Sequence, residues 1–141
     1  MDAMITAALL LFVCSAQTAT AATDLTTSKV FAPTDGNVRT TPTGGKSLDI
    51  LHAALLSGEA VAIHESTHPA GGKPVPLHVV DHSEFVLIRE GTVAFIHDGI
   101  SETAGPGAIL YVAKGTNHAV RNAGSTPCTY VVIAIGGDVK Q

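Results

Sequence analysis

The chain has 141 residues, a length that predicts a single domain. Charged residues make up 14% and apolar residues 45%, which is typical of a compact folded chain rather than a disordered one. The formal net charge is −4 and no Lys/Arg cluster occurs, which argues against nucleic acid as a partner. Aromatic residues are only 4% and tryptophan is absent, so the core must be mainly aliphatic.

The amino terminus has the features of a secretory signal peptide. Residues 5–16 are apolar but too few to span a bilayer, and Ala19 and Ala21 form an A-x-A cleavage pattern. We therefore expect residues 1–21 to be a signal peptide and the mature chain to begin near Ala22. The protein would be exported to the periplasm or the extracellular space, with no stable membrane span. The first residues contain Asp2 but no Lys or Arg, so an ordinary N-terminal core element is the alternative.

The two cysteines support no intramolecular disulfide in such a mature chain. Cleavage after residue 21 removes Cys14 and leaves Cys128 alone. Cys128 begins the β-rich run CTYVVIAI, which favours a buried structural thiol over a reactive one.

Residues 22–46 are rich in Thr, Gly and Pro, and we expect an N-terminal arm with one short strand near Lys29–Phe31. The next segment, SLDILHAALL, is ambiguous. Leu48, Leu51 and Leu55 have helical spacing, but every later segment has the pattern of a strand. We therefore expect a strand here, at the start of a β-domain covering residues 47–141.

From Ala60 onwards, short apolar runs alternate with turn signals. The runs are AVAIH, EFVLIR, TVAFIH, AILYVA and CTYVVIAI, and the turns include Asp98-Gly99, a strong hairpin signal. Short strands with a turn every 8 to 12 residues predict an all-β sandwich or small barrel.

One stretch, PLHVVDHSEFVLIREG, concentrates residues able to bind metal or move protons. His78, His82 and Glu84 all have even numbers, so on one strand they would share a face. On a straight strand, His78 and Glu84 would be roughly 20 Å apart and His82 and Glu84 about 6.6 Å apart. A straight strand therefore favours the pair His82/Glu84, whereas a bend permits His78/Glu84. Solvated, inert histidines at a strand end are the structural alternative.

Two segments of the sequence resemble the two motifs of the cupin family. The first has the fixed residues Gly72, His78, Glu84 and Gly91 of the pattern G-x5-H-x-H-x3-E-x6-G. The second has Gly107, Gly115, His118 and Asn122 of the pattern G-x5-P-x-G-x2-H-x3-N. The resemblance covers roughly residues 60–136 and implies a double-stranded β-helix, the jelly-roll barrel.

The resemblance also implies a divalent metal ion, although the ligand set departs from the pattern. Cupins that hold a metal usually use three His and one Glu, and here Val80 replaces the second His of H-x-H. His78, Glu84 and His118 carry over by position, and His82 is the nearest residue able to replace the missing ligand. Two His and one carboxylate suit non-haem Fe(II), while Mn, Zn, Ni and Cu remain open. The bend of a cupin chain between these positions favours His78 over His82.

The function expected from these residues is that of an exported, metal-dependent enzyme acting on a small organic molecule. Cupins include oxidoreductases, isomerases and lyases, and Glu84 would act as a catalytic base if it is not a ligand. A binding module without turnover and a barrel with a decayed site are the alternatives. We expect apolar cavity walls from five residues: Val80, Val86, Ile88, Phe95 and Val120. His64, His68 and His97 are expected mainly at the surface or rim, although inward alternation in AVAIH would point His64 into the barrel. The family often dimerises through edge strands, so a homodimer is expected.

Overall fold

Ten β-strands and one turn of 3-10 helix make up the regular structure of residues 23–139, the part of the chain that the computed structural model describes. The strands are β1 (Thr23–Leu25), β2 (Asn37–Thr40), β3 (Lys46–Leu55), β4 (Ala60–His68), β5 (Ser83–Glu90), β6 (Val93–His97), β7 (Ile100–Ala104), β8 (Ile109–Val112), β9 (His118–Asn122) and β10 (Cys128–Ile135). The helical turn is Pro33–Asp35. The expected all-β class is confirmed.

The strands form two sheets. The large sheet has the order β1-β3-β4-β10-β5-β8, with β2 also paired to β3, and the small sheet has the order β7-β6-β9. All pairs are antiparallel except β1 with β3. An isolated bridge between His78 and His118 links the loop before β5 to the small sheet. This arrangement is the jelly-roll barrel implied by the motifs.

Alternation of side chains separates the inner face of the large sheet from its outer face. On β5, Glu84, Val86 and Ile88 are buried whereas Phe85 and Leu87 are exposed. This is the period of two that a strand covered on one face requires. The main core lies on the inner face and consists of Val86, Ile88, Val93, Phe95, Leu110, Val112, Val120, Cys128, Tyr130 and Val132.

The inner face is apolar at one end and polar at the other. Residues directly opposite each other in an antiparallel ladder lie on the same face. One such row runs Ile88, Tyr130, Ser66, Ser47. The next row runs Val86, Val132, His64, Asp49. The apolar members therefore lie on β5 and β10, and the polar ones on β3 and β4.

The ambiguous segment SLDILHAALL forms strand β3. Its helical spacing comes from a register shift between Asp49 and Leu51, where Ile50 is an extra residue in the ladder. Leu48 lies opposite Glu65 and Leu51 lies opposite Ile63, so both leucines lie on the outer face despite being three residues apart. A β-bulge thus reproduces the spacing of a helix within a strand.

The short strand predicted near Lys29–Phe31 is wrong, because these residues have no regular structure. Phe31 instead contributes its side chain to a second apolar cluster around Leu51, Ala53 and Val61 on the outer face of the large sheet. The segment is followed by Pro33, which has no N–H to donate to a ladder. Side-chain packing, rather than strand pairing, holds this segment.

The last residue of the second motif ties down the turn before β10. The Asn122 Nδ2 donates to the carbonyls of Thr126 at 2.8 Å and His68 at 3.1 Å, and its Oδ1 accepts from the Gly124 N–H at 2.8 Å. These bonds explain an asparagine at this position in structural terms.

Cys128 is a free, buried cysteine, as expected, and burial raises the pKa of its thiol. Residues 1–22, which include Cys14 and the predicted signal peptide, lie outside the described residues. Between residues 23 and 139, no helix has the length and hydropathy needed to cross a membrane.

Candidate metal and ligand site

His78 and His118 meet through a short antiparallel bridge. The N–H of each residue donates to the carbonyl of the other, at 3.0 Å and 2.9 Å. Paired residues in such a bridge direct their side chains to the same side, and the two imidazole centroids are 4.5 Å apart. The bridge therefore places the two motif histidines together although they are distant in sequence.

Glu84 completes the group from the start of β5. Its Oε2 lies 3.4 Å from His118 Nε2, and its side chain is buried on the inner face. His78 is not on the same strand as Glu84, since β5 begins only at Ser83. The chain bends between His78 and Glu84. The distance of roughly 20 Å expected for a straight strand therefore does not apply to this pair. His78, Glu84 and His118 all line one cavity of about 130 Å³.

Main-chain carbonyls fix the tautomer of both histidines. His78 Nδ1 lies 3.2 Å from the carbonyl of Pro76, and His118 Nδ1 lies 3.0 Å from that of Thr116. A carbonyl oxygen can only accept a hydrogen bond, so each Nδ1 must carry a proton. In the neutral rings the lone pair is therefore on Nε2, the atom available to bind a metal or a proton.

Glu84 is ionised at neutral pH. Burial alone would raise the pKa of Glu84, but hydrogen bonds from His118 and His82 outweigh burial and hold the pKa below its ordinary value. The hydrogen bond to Glu84 correspondingly raises the pKa of His118, against the opposing effect of burial. The two opposite shifts have the same cause, the approach of the Glu84 carboxylate to the His118 ring.

His82 approaches Glu84 from outside the cavity. Its Nε2 lies 2.9 Å from Glu84 Oε1, and its Nδ1 lies 2.5 Å from Asp138 Oδ1. Burial lowers the pKa of His82, but the hydrogen bonds to Asp138 and Glu84 outweigh it and the pKa is raised. With both ring nitrogens bonded to carboxylates, His82 is placed to orient Glu84.

His64 is a third histidine on the same cavity. It lies on β4, opposite Asp49 in the ladder, and burial lowers its pKa while Glu84 acts in the opposite direction. Alternation in AVAIH is the one sequence signal for this inward orientation. His68, on the same face of β4, is only 8% exposed, so its predicted place at the surface or rim is wrong. His97 is bonded to Asp98 and Glu102 on the β6–β7 hairpin.

The cavity walls differ in part from those predicted. Val86 and Val120 line the cavity as expected, together with three further residues, Val75, Tyr130 and Val132. Ile88 and Phe95 lie instead in the packed core, and Val80 is half-buried at the bend before β5. Alternation along the strands correctly predicted that Ile88 and Phe95 point inward. Their side chains pack within the core cluster, so they do not line this cavity.

Within residues 23–139, no three or more His, Cys, Asp or Glu side chains are arranged as a group that could hold a metal ion. The donor set is nevertheless one that suits such an ion: two imidazoles with their Nε2 atoms unprotonated when neutral, and an ionised carboxylate. Glu84 is turned towards His118 and His82 in this structure, so metal binding would require it to exchange one of these partners.

The sequence profile of the family described as "Cupin domain" matches residues 64–134, half of the chain. The protein belongs to the cupin family. Among solved structures, this cupin is similar to an RmlC-like cupin from Shewanella frigidimarina, with a TM-score of 0.65 and 14% identity over 79% of this chain and 94% of the other.

Two further similar structures have named activities. One is a predicted oxalate decarboxylase from Thermotoga maritima, with a TM-score of 0.60 and 17% identity over 76% of this chain and 98% of the other. The other is a polyketide cyclase from Streptomyces resistomycificus, with a TM-score of 0.62 and 16% identity over 77% of this chain and 80% of the other. At these identities the likeness concerns the fold alone. A comparison with curated protein sequences gives no match.

Proposed function

We propose that this cupin binds one divalent metal ion through His78, Glu84 and His118 and uses it on a small organic molecule. One observation carries the proposal: both histidines donate Nδ1–H to a main-chain carbonyl, which leaves each Nε2 as the ligand atom. Metal-binding histidines commonly donate their other ring N–H in this way, because the bond fixes the tautomer and orients the ring.

The remaining residues have separate roles in this proposal. His64 supplies a further nitrogen donor from β4, in place of the histidine that Val80 replaces. His82 orients Glu84 and keeps it ionised. A bound Fe, Mn, Zn, Ni or Cu ion would polarise an oxygen of the bound molecule or activate water or O2. If Glu84 is not a ligand, it could act as a general base, because it lines the cavity and could accept a proton from a molecule bound there.

An enzyme of the oxidoreductase, isomerase or lyase type is the form of this function that we favour. The names of the neighbouring predicted oxalate decarboxylase and polyketide cyclase support it, because both name enzyme activities on the same fold. Fold likeness does not transfer a reaction, so the reaction class remains part of the proposal.

Metal titration with a matched pair of histidine variants tests the metal site. We expect calorimetry under anaerobic conditions, with Mn, Fe(II), Zn and Ni in turn, to give one site per chain. His118→Ala removes a ligand whose side chain is buried and should reduce affinity by at least tenfold. His52→Ala changes an exposed histidine of β3 and should leave affinity unchanged. Equal affinities for all three proteins, or no binding to any, would contradict the metal site.

A binding module without turnover is the second candidate function. It is favoured by the contacts of Glu84 with both His82 and His118, which pair the carboxylate with two imidazoles. Elemental analysis of the purified protein, followed by O2-uptake and product assays on phenols, diketones and sugars, separates the two. Bound metal without turnover on any substrate favours the binding module.

We also propose that this cupin is exported after cleavage near Ala22. The proposal rests on the apolar stretch and the A-x-A pattern of residues 5–21. Amino-terminal sequencing of protein from the native cell envelope should give a chain starting near Ala22. An intact Met1 in a soluble cytosolic fraction would count against export.

We propose that the protein forms a homodimer through the outer face of β5 and β8, because an exposed apolar patch lies there. Phe85 pairs with Tyr111, and Leu87 pairs with Ile109, and these side chains are 39–66% exposed. They lie beside the edge of β8, which pairs with no strand other than β5 among residues 23–139. Exposed apolar patches beside an unpaired edge strand are typical of interfaces. Light scattering should give a dimer mass that Leu87→Lys halves. Val38→Lys, at an exposed valine of β2, is the control and should leave the mass unchanged.

A further inference from the structure

A second cavity opens at the polar end of the inner face. Its volume is about 350 Å³, nearly three times that of the first cavity, at about 130 Å³. It shares His64, Val75 and Tyr130 with the first cavity, so the two are adjacent compartments with a common wall. A volume of this size is within the range of pockets that hold small organic molecules.

The wall of this second cavity contains a buried hydroxyl with no bonding partner. Ser47 is 2% exposed, and its Oγ has no hydrogen-bond partner among the described residues. Buried polar groups are nearly always paired, so an unpaired one requires an explanation. Ser47 lies in the same ladder row as Ser66 and Tyr130, which also line the cavity, and the row directs all three side chains inward.

Three other polar residues of the wall, Thr43, His68 and Tyr130, already have partners. Tyr130 Oη lies 3.0 Å from His68 Nε2, and His68 Nδ1 lies 3.5 Å from Thr43 Oγ1. This contrast makes Ser47 the hydroxyl that a bound molecule would pair with.

The charge and polarity of the lining restrict the ligand class. Pro42, Val75 and Pro76 give the cavity an apolar side. None of its lining residues within 23–139 is a carboxylate, and Arg39, whose Nε lies 3.1 Å from Asp49 Oδ2, is one of the lining residues. A cation would therefore find no counter-charge on the wall, whereas a neutral or anionic molecule would meet no repulsion from it.

We infer that the second cavity is the ligand compartment of this cupin, and that it takes a neutral or anionic organic molecule whose oxygen accepts a hydrogen bond from Ser47 Oγ. The apolar body of the molecule lies against Val75 and the two prolines. Its other end is directed past His64 towards His78, Glu84 and His118. That orientation rests on the proposed function of the first cavity, whereas binding to Ser47 does not.

Three small probes of similar size test the inference: benzamide, benzoate and benzylammonium. The full chain is titrated with each probe in EDTA, and the dissociation constants are taken from amide chemical shifts in NMR spectra. We expect benzamide and benzoate to bind in the millimolar range that their size allows, with the largest shifts at Thr43, Ser47 and Ser66. Benzylammonium should bind at least tenfold more weakly.

Ser47→Ala is the decisive variant. It should raise the dissociation constants of benzamide and benzoate by about tenfold, because one hydrogen bond is lost. It should not lower the stability of the protein, since Ser47 Oγ has no partner to lose. Ser101→Ala, at an exposed serine of β7, is the control and should change neither binding nor stability.

The inference is overturned if Ser47→Ala binds the probes as tightly as the parent, if benzylammonium binds equally well, or if no probe binds. It is also overturned if Ser47→Ala destabilises the protein as much as it weakens binding, because a structural role would then suffice. Metal titration is scored separately: Ser47-dependent probe binding without metal binding would reject the proposed function alone. Metal binding without any Ser47-dependent probe would reject this inference alone.

Discussion

Gly91, the last glycine of the first motif, has two reasons to be glycine: its positive φ angle and the backbone atoms packed against it. Replacement of Gly91 by alanine tests both. Gly91 has φ +74, a left-handed conformation that costs an L-residue about 1–2 kcal/mol. A Cβ built at this position would also lie 2.6 Å from the Pro127 carbonyl oxygen and 2.8 Å from Cys128 Cα. These neighbours are backbone atoms, so overpacking should add about 1–3 kcal/mol. Gly91→Ala should therefore lower the free energy of unfolding by about 2–5 kcal/mol.

Gly99 provides the matched control. Its φ is +79, nearly that of Gly91, but a Cβ there would meet no atom of the described residues within 4 Å. Gly99→Ala should therefore lower the free energy of unfolding by only the conformational part, about 1–2 kcal/mol. The difference between the two variants isolates the close approach of the β5–β6 turn to the start of β10.

Urea unfolding at 25 °C, followed by far-UV circular dichroism, measures both variants against the parent. Equal losses in the two variants would refute the reasoning, because the contact with Pro127 and Cys128 would then contribute nothing. A change in the slope of free energy with urea, rather than in the midpoint, would indicate an altered unfolded or native state and would also count against it.

Three further predictions concern the histidines. Tyr130→Phe leaves the buried His68 Nε2 without its partner and should lower the free energy of unfolding by about 1–3 kcal/mol in urea unfolding, whereas no loss would mean that the bond is not formed. Burial lowers the pKa of His68, so its protonation favours the unfolded chain, and the contribution of His68 to stability should fall as pH drops below about 6.5. The raised pKa values of His82 and His118 act in the opposite direction, so the His68 contribution is read from the difference between the parent and His68→Gln in thermal unfolding between pH 7 and pH 5. His82→Gln should weaken metal binding in calorimetry by about 10–100-fold, because Glu84 loses one orienting bond, and an unchanged affinity would remove this role from His82.

The strands from Ala60 onwards were predictable because turn signals and alternation both act over a few residues. Strand β3 was harder, since the bulge at Ile50 gives Leu48 and Leu51 the spacing of a helix while keeping them on one face. A bulge depends on the partner strand, which local patterning does not contain. The segment at Lys29–Phe31 was mispredicted for a related reason, because packing on the outer face holds Phe31 without a ladder.

The candidate site was predictable only as far as the two motifs reach. They indicate His78, Glu84 and His118, but the contact of the two histidines depends on a bridge between the loop before β5 and strand β9. The strand geometry of PLHVVDHSE could not choose between His78 and His82, because the choice depends on where the chain bends. His64 and Ser47 reach the cavities through the registers of β3 and β4, which are set by pairing with distant strands.

The polar residues on the inner face of β3 and β4 point to a function, because burying polar side chains there costs stability. A barrel optimised for packing alone would continue the apolar row of Val86 and Val132 across β4 and β3. This chain instead has His64 and Asp49 in that row, and Ser47 in the row beside it. Departures from local packing rules concentrate at functional sites, where a bound molecule supplies the missing partner. The unpaired hydroxyl of Ser47 and the inward histidines lie at the same end of the barrel, so one ligand spanning both cavities would account for both departures.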